Sequence, residues 1–470
     1  MEEQTGRMQQ LVGCLRRVQR PLVWLAVVWL VIYVPLAVGL SAAFPEESYE
    51  VQLDSSELYR PRRTIAIYVD GDSDTRATLI LNDTVQQISV AVEAGYVPVE
   101  LTLQGYGTLD STARFDANRT WPLSDEAAAF LYNTSAVWTV KVVEKRTDVL
   151  FYRAPGEALL EGKLLYQDVY TATPPFINLF WLLPVSLGGS FLVFRLYFAC
   201  FAFLLSWLAL RLRRDGPGLP AALFLLCNPL TVYSTLFAVQ DDVIVALLYG
   251  AALFLLVRRA MERAAEAIGL GMACKLWSVL LLPALLSGSD SWRKKGGWVA
   301  IAGGITAAVI APFALVAPDE VAAFLRLYIL GESGPTLEGI SLWQYLGEVG
   351  LDPAWLVPVL AVAGAALLWL VVHRRARKSS TALLFLLLFL LLFPKIHSGY
   401  YVPLLLFVPL FREDKRVVGG IAVAVIGVIM LDGWNWLGWS EPVMVPVLLA
   451  VGVWLLLAGV LLHVLRHVRG

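Results

Sequence analysis

Of the 470 residues, 58% are hydrophobic and 16% charged, and the formal net charge is −1. Such a chain is too apolar for a soluble globular protein and too neutral to bind nucleic acid through bulk charge, so lipid is part of its solvent. Cys14, Cys200, Cys227 and Cys274 show neither CxxC nor His-rich spacing, which argues against a disulfide framework or a structural zinc site.

The first apolar run, Pro21 to Ala43, follows Arg16, Arg17 and Arg20 and is long enough to cross a bilayer. It reads as an uncleaved first span, so that residues 1–43 form an inner terminus and the first transmembrane helix. A cleaved signal peptide ending at Ser41-Ala42-Ala43 is the competing reading. Residues 44–147 then change to soluble-domain composition. Thr64 to Val69 and Val97 to Leu103 alternate with period two, while Asp70-Gly71 and Gly105-Tyr106-Gly107 read as turns. A small β-sandwich-like insert is predicted. Sequons at Asn82, Asn118 and Asn133 all fall within it. The insert reads as a cap over the outer face, with carbohydrate binding as the alternative.

Residues 148–189 border a membrane surface with acids, tyrosines and the Pro174-Pro175 pair; two short interfacial helices are expected, at Pro155 to Glu161 and at Phe176 to Pro184. From 190 to 470 apolar spans alternate with short basic clusters. Counting the first span, roughly ten or eleven transmembrane helices are predicted. The clusters at Arg16 to Arg20, Arg211 to Arg214, Arg258 to Arg263, Arg293 to Lys295, Arg374 to Lys378, Arg412 to Arg416 and Arg466 to Arg469 can all lie on the cytoplasmic side. The arithmetic closes if Ala265 to Ser287 enters and leaves on one side as a re-entrant pair of half-helices with Lys275 near its turn. Irregular backbone of that kind is tolerated where it lines a cavity. A single span with a snorkelling Lys275 is the alternative.

The order of Asp148, aromatics, a short helix, Gly162-Lys163-Leu164-Leu165-Tyr166-Gln167-Asp168, Pro174-Pro175, an apolar helix and Arg195-Leu196 resembles the first outer loop of the GT-C superfamily of multi-spanning glycosyltransferases. Asn228-Pro229 with Gln240-Asp241-Asp242, Gly269 to Lys275, Glu338 to Trp343 and Pro394 to Tyr401 extend the resemblance along most of the chain apart from the insert. It is nearest to the mannosyltransferase branches, including the one that builds glycosylphosphatidylinositol anchors and the bacterial and archaeal polyprenol-phosphate-mannose enzymes. The chain departs from that pattern by placing about a hundred residues between the first helix and the acidic loop.

The resemblance implies an inverting transfer of a hexose, mannose in those branches, from a polyprenyl- or dolichyl-phosphate donor to a lipid-linked, glycolipid or protein acceptor. It implies an extracytoplasmic active face on a multi-pass protein, and a prokaryotic plasma membrane is the expected location. A carboxylate within reach of the acceptor hydroxyl is the natural general base, a role that suits Asp148. Cations lower the barrier by meeting the charge of the leaving phosphate; Arg195, Lys275, Lys395 and His397 are the candidates. Snorkelling for Arg195, and interfacial anchoring for Lys395 and His397, are the plainer readings. Asp168, Asp241 and Asp242 are candidates to orient the acceptor or to hold magnesium or manganese, with helix capping as the plain reading for the last two. Tyr152, Glu338, Trp343 and Tyr400 are sugar-pocket candidates. A transporter or flippase of lipid-linked sugars is the rival class; the acids favour the enzyme because they gather on one face and no internal repeat relates the halves.

Overall fold

The computed structural model describes residues 2–43, 47–53, 64–69, 75–81, 84–92, 96–103, 107–109, 119–122, 136–144, 149–168, 171, 173–212, 218–319, 321–322, 338–350, 356–373, 376–436 and 444–469. The protein is a multi-pass helical membrane protein. Among the described residues five helices are long and apolar enough to span a bilayer: Arg20–Ala43, Phe191–Leu212, Trp292–Val316, Lys415–Trp434 and Met444–Val468. Other expected spans are shorter or broken. Leu219–Leu226 and Pro229–Phe237 meet at a 47° bend. The cause is local, because Pro229 lacks an N–H and Asn228 restarts the helix by accepting the Leu230 N–H at 3.0 Å. Asp242–Val257 and Lys378–Leu392 are shorter apolar helices, and Ser398–Phe407 is a 3-10 segment containing Pro403.

Basic residues in and beside the clusters at Arg211, Arg258, Arg293 and Arg374 are linked at helix ends. Arg258 donates to the Arg211 carbonyl at 3.1 Å, Lys295 to that of Gly288 at 2.8 Å, and the Gly288 N–H to the His373 carbonyl at 2.8 Å. Lys378 lies within electrostatic reach of Asp290, Lys295 and Arg259. The segment from Met261 to Leu286 therefore begins and ends at the same, basic end. It runs as a helix to Cys274, breaks at Lys275, where φ is −160° and ψ 133°, and continues as a 3-10 turn, Leu276–Leu281, and a short helix, Leu282–Leu286.

The interfacial helices are Val149–Leu160 and Pro175–Ser186, the second opened by Pro175 in its first turn. Leu165 and Tyr166 from the loop between them pack with Ala317 and Val321 beyond the end of the Trp292–Val316 helix.

Within 44–147, strands β1 (Glu47–Leu53), β2 (Thr64–Val69), β3 (Thr75–Leu81), β4 (Thr84–Val92), β5 (Tyr96–Leu103), β6 (Gly107–Leu109), β7 (Arg119–Pro122) and β8 (Ala136–Glu144) are described at the level of backbone. They pair antiparallel into two four-stranded sheets of order β1-β8-β5-β6 and β4-β3-β2-β7. The packing of sheet on sheet that would make a sandwich depends on side chains outside the described set, and so do the three sequon asparagines.

Candidate functional site

Asp242–Val257 and Met261–Cys274 form an antiparallel hairpin. Helices of 16 and 14 residues are roughly 24 and 21 Å long, so the start of the first and the end of the second lie at the same level, opposite the basic end. Carboxylates are stabilised at a helix N-terminus and cations at a C-terminus; Asp242 opens the first helix and Lys275 follows the second. Lys275 Nζ lies 2.8 Å from Asp241 Oδ1 and 2.7 Å from Asp242 Oδ1. Both aspartates are buried, and the lysine side chain is 11% exposed.

The turn presenting the aspartates is strained. Val239 has φ 47° and is fully buried, although a β-branched residue is rarely found in the left-handed region. Three bonds hold it. The Gln240 N–H donates to Ser234 O at 2.9 Å, just after the π-helical turn Tyr233–Phe237. The Asp241 N–H donates to Tyr152 Oη at 3.0 Å. Arg195 Nε donates to the Leu236 carbonyl at 2.8 Å.

A second strand of chain closes on this triad. A Cβ at Gly399 would overlap Asp242 Oδ2, so this carboxylate occupies the notch that the glycine leaves. The Tyr400 ring lies 5.9 Å from Lys275 Nζ, 3.9 Å from the Trp277 ring and 5.4 Å from the His397 ring. Trp277 is itself 5.5 Å from Nζ. Lys395-Ile396 pairs in parallel with Glu338-Gly339. Ile340 N–H donates to Ile396 O at 2.7 Å and Ser341 Oγ to Pro394 O at 2.7 Å. Gly339 has φ +80° and presses against Ile396 O, where no Cβ would fit; this position requires glycine.

Sequence-selected residues thus divide. Asp241, Asp242, Lys275, His397 and Tyr400 form one connected cluster, with Lys395 and the Glu338 backbone beside it. Tyr152 is a buried prop, its ring packed on Trp181, Phe194 and Phe198 and its hydroxyl under Asp241. Arg195 is fully buried, and it also donates to Ser41 Oγ at 2.8 Å, tying the first span to the π turn. Trp343 Nε1 donates to Leu391 O at 3.0 Å. Asp168 is exposed and accepts the Leu164 N–H at 2.8 Å. Asp148, immediately before the Val149–Leu160 helix, lies outside the described residues.

As for a metal, the cation position between Asp241 and Asp242 is occupied by Lys275 Nζ. Among the described residues no group of three or more His, Cys, Asp or Glu is arranged to hold an ion. The described residues do not fit a metal centre.

Residues 170–394 match the model of glycosyltransferase family 87. The resemblance is to glycosyltransferases. The sequence's resemblance to glycosyltransferases is thereby supported, and the matched segment contains Arg195, Asp241, Asp242, Lys275, Glu338 and Trp343. Among solved structures, the chain is similar to ArnT from Cupriavidus metallidurans, determined bound to undecaprenyl phosphate, with 16% identity over 68% of this chain and 72% of that one and a TM-score of 0.38. No curated protein matches the chain.

Gly399, Trp277 and Val239 are site residues that sequence reasoning passed over. Gly399 stood inside the Pro394 to Tyr401 run, where a glycine beside two tyrosines signals a close approach. Trp277 had only its nearness to Lys275, and nothing marks Val239, because left-handed backbone is expected of Gly or Asn.

Proposed function

We propose that the protein is an inverting GT-C-type glycosyltransferase that moves a hexose, mannose, from a polyprenyl- or dolichyl-phosphate donor to a lipid-linked, glycolipid or protein acceptor. The observation that carries this reading is the match to glycosyltransferase family 87 over a segment whose buried acids and lysine meet at one end of the bundle. That end is the extracytoplasmic one by the positive-inside rule, in the plasma membrane of a prokaryote.

In this reading the acceptor hydroxyl attacks the anomeric carbon from the face opposite the phosphate. The new C–O bond forms as the bond to the phosphate oxygen breaks, and the hydroxyl proton passes to Asp148. The released phosphate keeps the bonding electron pair. Lys395 and His397 meet its charge, which grows in the transition state, so their stabilisation favours transfer over binding alone. Arg195 and Lys275 contribute by holding the acidic turn, since their observed partners are Leu236 O and Ser41 Oγ for the first and two carboxylates for the second. Glu338, Trp343 and Tyr400 border the sugar. The chain divides into the first span (1–43), a β-sandwich insert capping the outer face (44–147), the catalytic loop (148–189) and the bundle (190–470).

The test is transfer of radiolabelled sugar from synthetic polyprenyl-phosphate-mannose and polyprenyl-phosphate-glucose by the purified chain, with lipid extract as acceptor. Transfer from the mannosyl donor, reduced roughly a hundredfold or more by Asp148→Asn, is the expected result. Preference for the glucosyl donor would reassign the sugar. Full activity of the variant would remove Asp148 as base, and an inert wild type would end the enzyme reading.

A further inference from the structure

The two aspartates of the triad are not equivalent. Asp242 gives Oδ1 to Lys275, and its Oδ2 is seated on Gly399. Asp241 also gives Oδ1 to Lys275, and its backbone N–H is held by Tyr152. Its Oδ2, however, takes no hydrogen bond from any described residue, and it is absent from the fully sealed polar atoms. The side chain keeps 6% exposure against 3% for Asp242. Asp241 Oδ2 is the triad's one oxygen open to a ligand.

Charge narrows what that ligand is. A carboxylate oxygen repels a phosphate oxygen at contact distance, so in this reading the phosphate falls to Lys395 and His397 and not to Asp241 Oδ2. A second cation is disfavoured because Nζ already occupies the position between the carboxylates. A neutral hydroxyl suits both constraints, since it donates one hydrogen bond to a charged acceptor. The rings of Trp277 and Tyr400, in contact with one another and flanking Nζ, offer apolar surface for the C–H face of a pyranose.

We propose that Asp241 Oδ2 is the sugar-hydroxyl ligand of this protein, while Asp242 is a positioning residue that locks Lys275 and the Gly399 turn. This inference rests on the glycosyltransferase reading. The hydroxyl belongs either to the donor hexose or to a sugar of the acceptor.

Asp241→Asn and Asp242→Asn make the test because they change the charge of the triad identically and each leaves a neutral Lys–Asp pair. Binding of polyprenyl-phosphate-mannose, bare polyprenyl phosphate and methyl mannoside to the purified full chain is measured for wild type and both variants. If the hydroxyl is the donor's, Asp241→Asn lowers the preference for the mannosyl lipid over the bare lipid by about tenfold or more. If it is the acceptor's, the loss falls on methyl mannoside. In either case Asp242→Asn moves that same quantity by no more than about twofold, any loss falling equally on the two lipids. Equal effects of the two variants, or no effect of Asp241→Asn on either quantity, overturn the inference. Should Asp241→Asn fail to fold, monodeoxy mannosyl lipids on the wild type decide instead: one missing hydroxyl costs about tenfold or more, and uniform affinity across the set overturns the proposal for the donor, as uniform affinity across monodeoxy methyl mannosides does for the acceptor. A wild type that transfers sugar yet shows none of these differences refutes the inference alone. One that neither transfers nor distinguishes the ligands refutes the reading beneath it as well.

Discussion

Two lysines bracket the re-entrant segment, and they are satisfied in opposite ways. Lys378, at the basic end, donates to the carbonyls of Ala284, Leu285 and Ser287 at 3.2, 3.1 and 3.0 Å, where the Leu282–Leu286 helix stops. Lys275, at the turn of the segment, faces two carboxylates. Helix-end carbonyls carry partial charge and suit a cation without cancelling it, which makes Lys378 a clasp. Two carboxylates share one ammonium at Lys275, and Asp241 keeps an oxygen for a ligand. Lysine type is the same at both sites, and what surrounds it separates architecture from chemistry.

The largest test of that contrast is to remove each ammonium. Lys275→Met leaves two buried carboxylates without their cation, and a loss of stability of ~3–5 kcal/mol is expected, together with loss of transfer. Lys378→Met leaves three carbonyls that other donors and water can reach, and costs ~1–3 kcal/mol with transfer retained. Thermal unfolding in detergent beside the radiolabel assay reads both; equal losses would abolish the distinction.

A smaller effect isolates the seat of Asp242. Gly399→Ala places a methyl where Oδ2 now sits, so the carboxylate must move and tilt the triad. Transfer is expected to fall about tenfold, in proportion to roughly 1.4 kcal/mol of lost transition-state stabilisation, with a smaller drop in unfolding temperature than Lys275→Met produces. Wild-type activity in this variant would show that the notch is incidental.

The smallest effect lies in the contact between His463 Nε2 and Asp414 Oδ2 at 2.8 Å. Burial alone would raise the Asp414 carboxyl, but hydrogen bonds from His463 and from the Val417 and Arg416 N–H groups outweigh it and hold the group below its ordinary value of 3.8. A carboxylate depressed on folding stabilises above its unfolded pKa, and that contribution disappears as pH falls through the lower folded value. The wild type should therefore lose stability as pH drops below about 4, and Asp414→Asn should flatten that slope. Parallel unfolding curves against pH for the two proteins would refute the assignment.

Much of this molecule was legible in its residues. The basic clusters predicted which helix ends lie together, and hydrogen bonds among Arg211, Arg258, Gly288, Lys295 and His373 link such ends in the fold. The break at Lys275 follows from a polar residue with basic clusters on both flanks, and the short helix at 175–186 from an apolar run too short to span, whereas the helix expected over 155–161 begins at Val149 and carries Pro155 inside it. Arg195 reads differently once folded. A cation five residues into a span suggests a phosphate ligand, and in the fold its guanidinium also donates to Leu236 O and Ser41 Oγ, partners separated from it by 41 and 154 residues that no local pattern announces. Trp343 likewise reaches back to the end of the Lys378–Leu392 helix.

By itself the sequence determined the solvent, the polarity of the bundle and the kinds of residue available for chemistry, because hydropathy, charge bias and turn chemistry act over a few neighbouring positions. Only the tertiary structure decided which of those residues meet. That Asp241 keeps an open oxygen while Asp242 is locked against a glycine 157 positions away depends on two helices of nearly equal length and a strained valine turn, and distances of that kind are settled by packing.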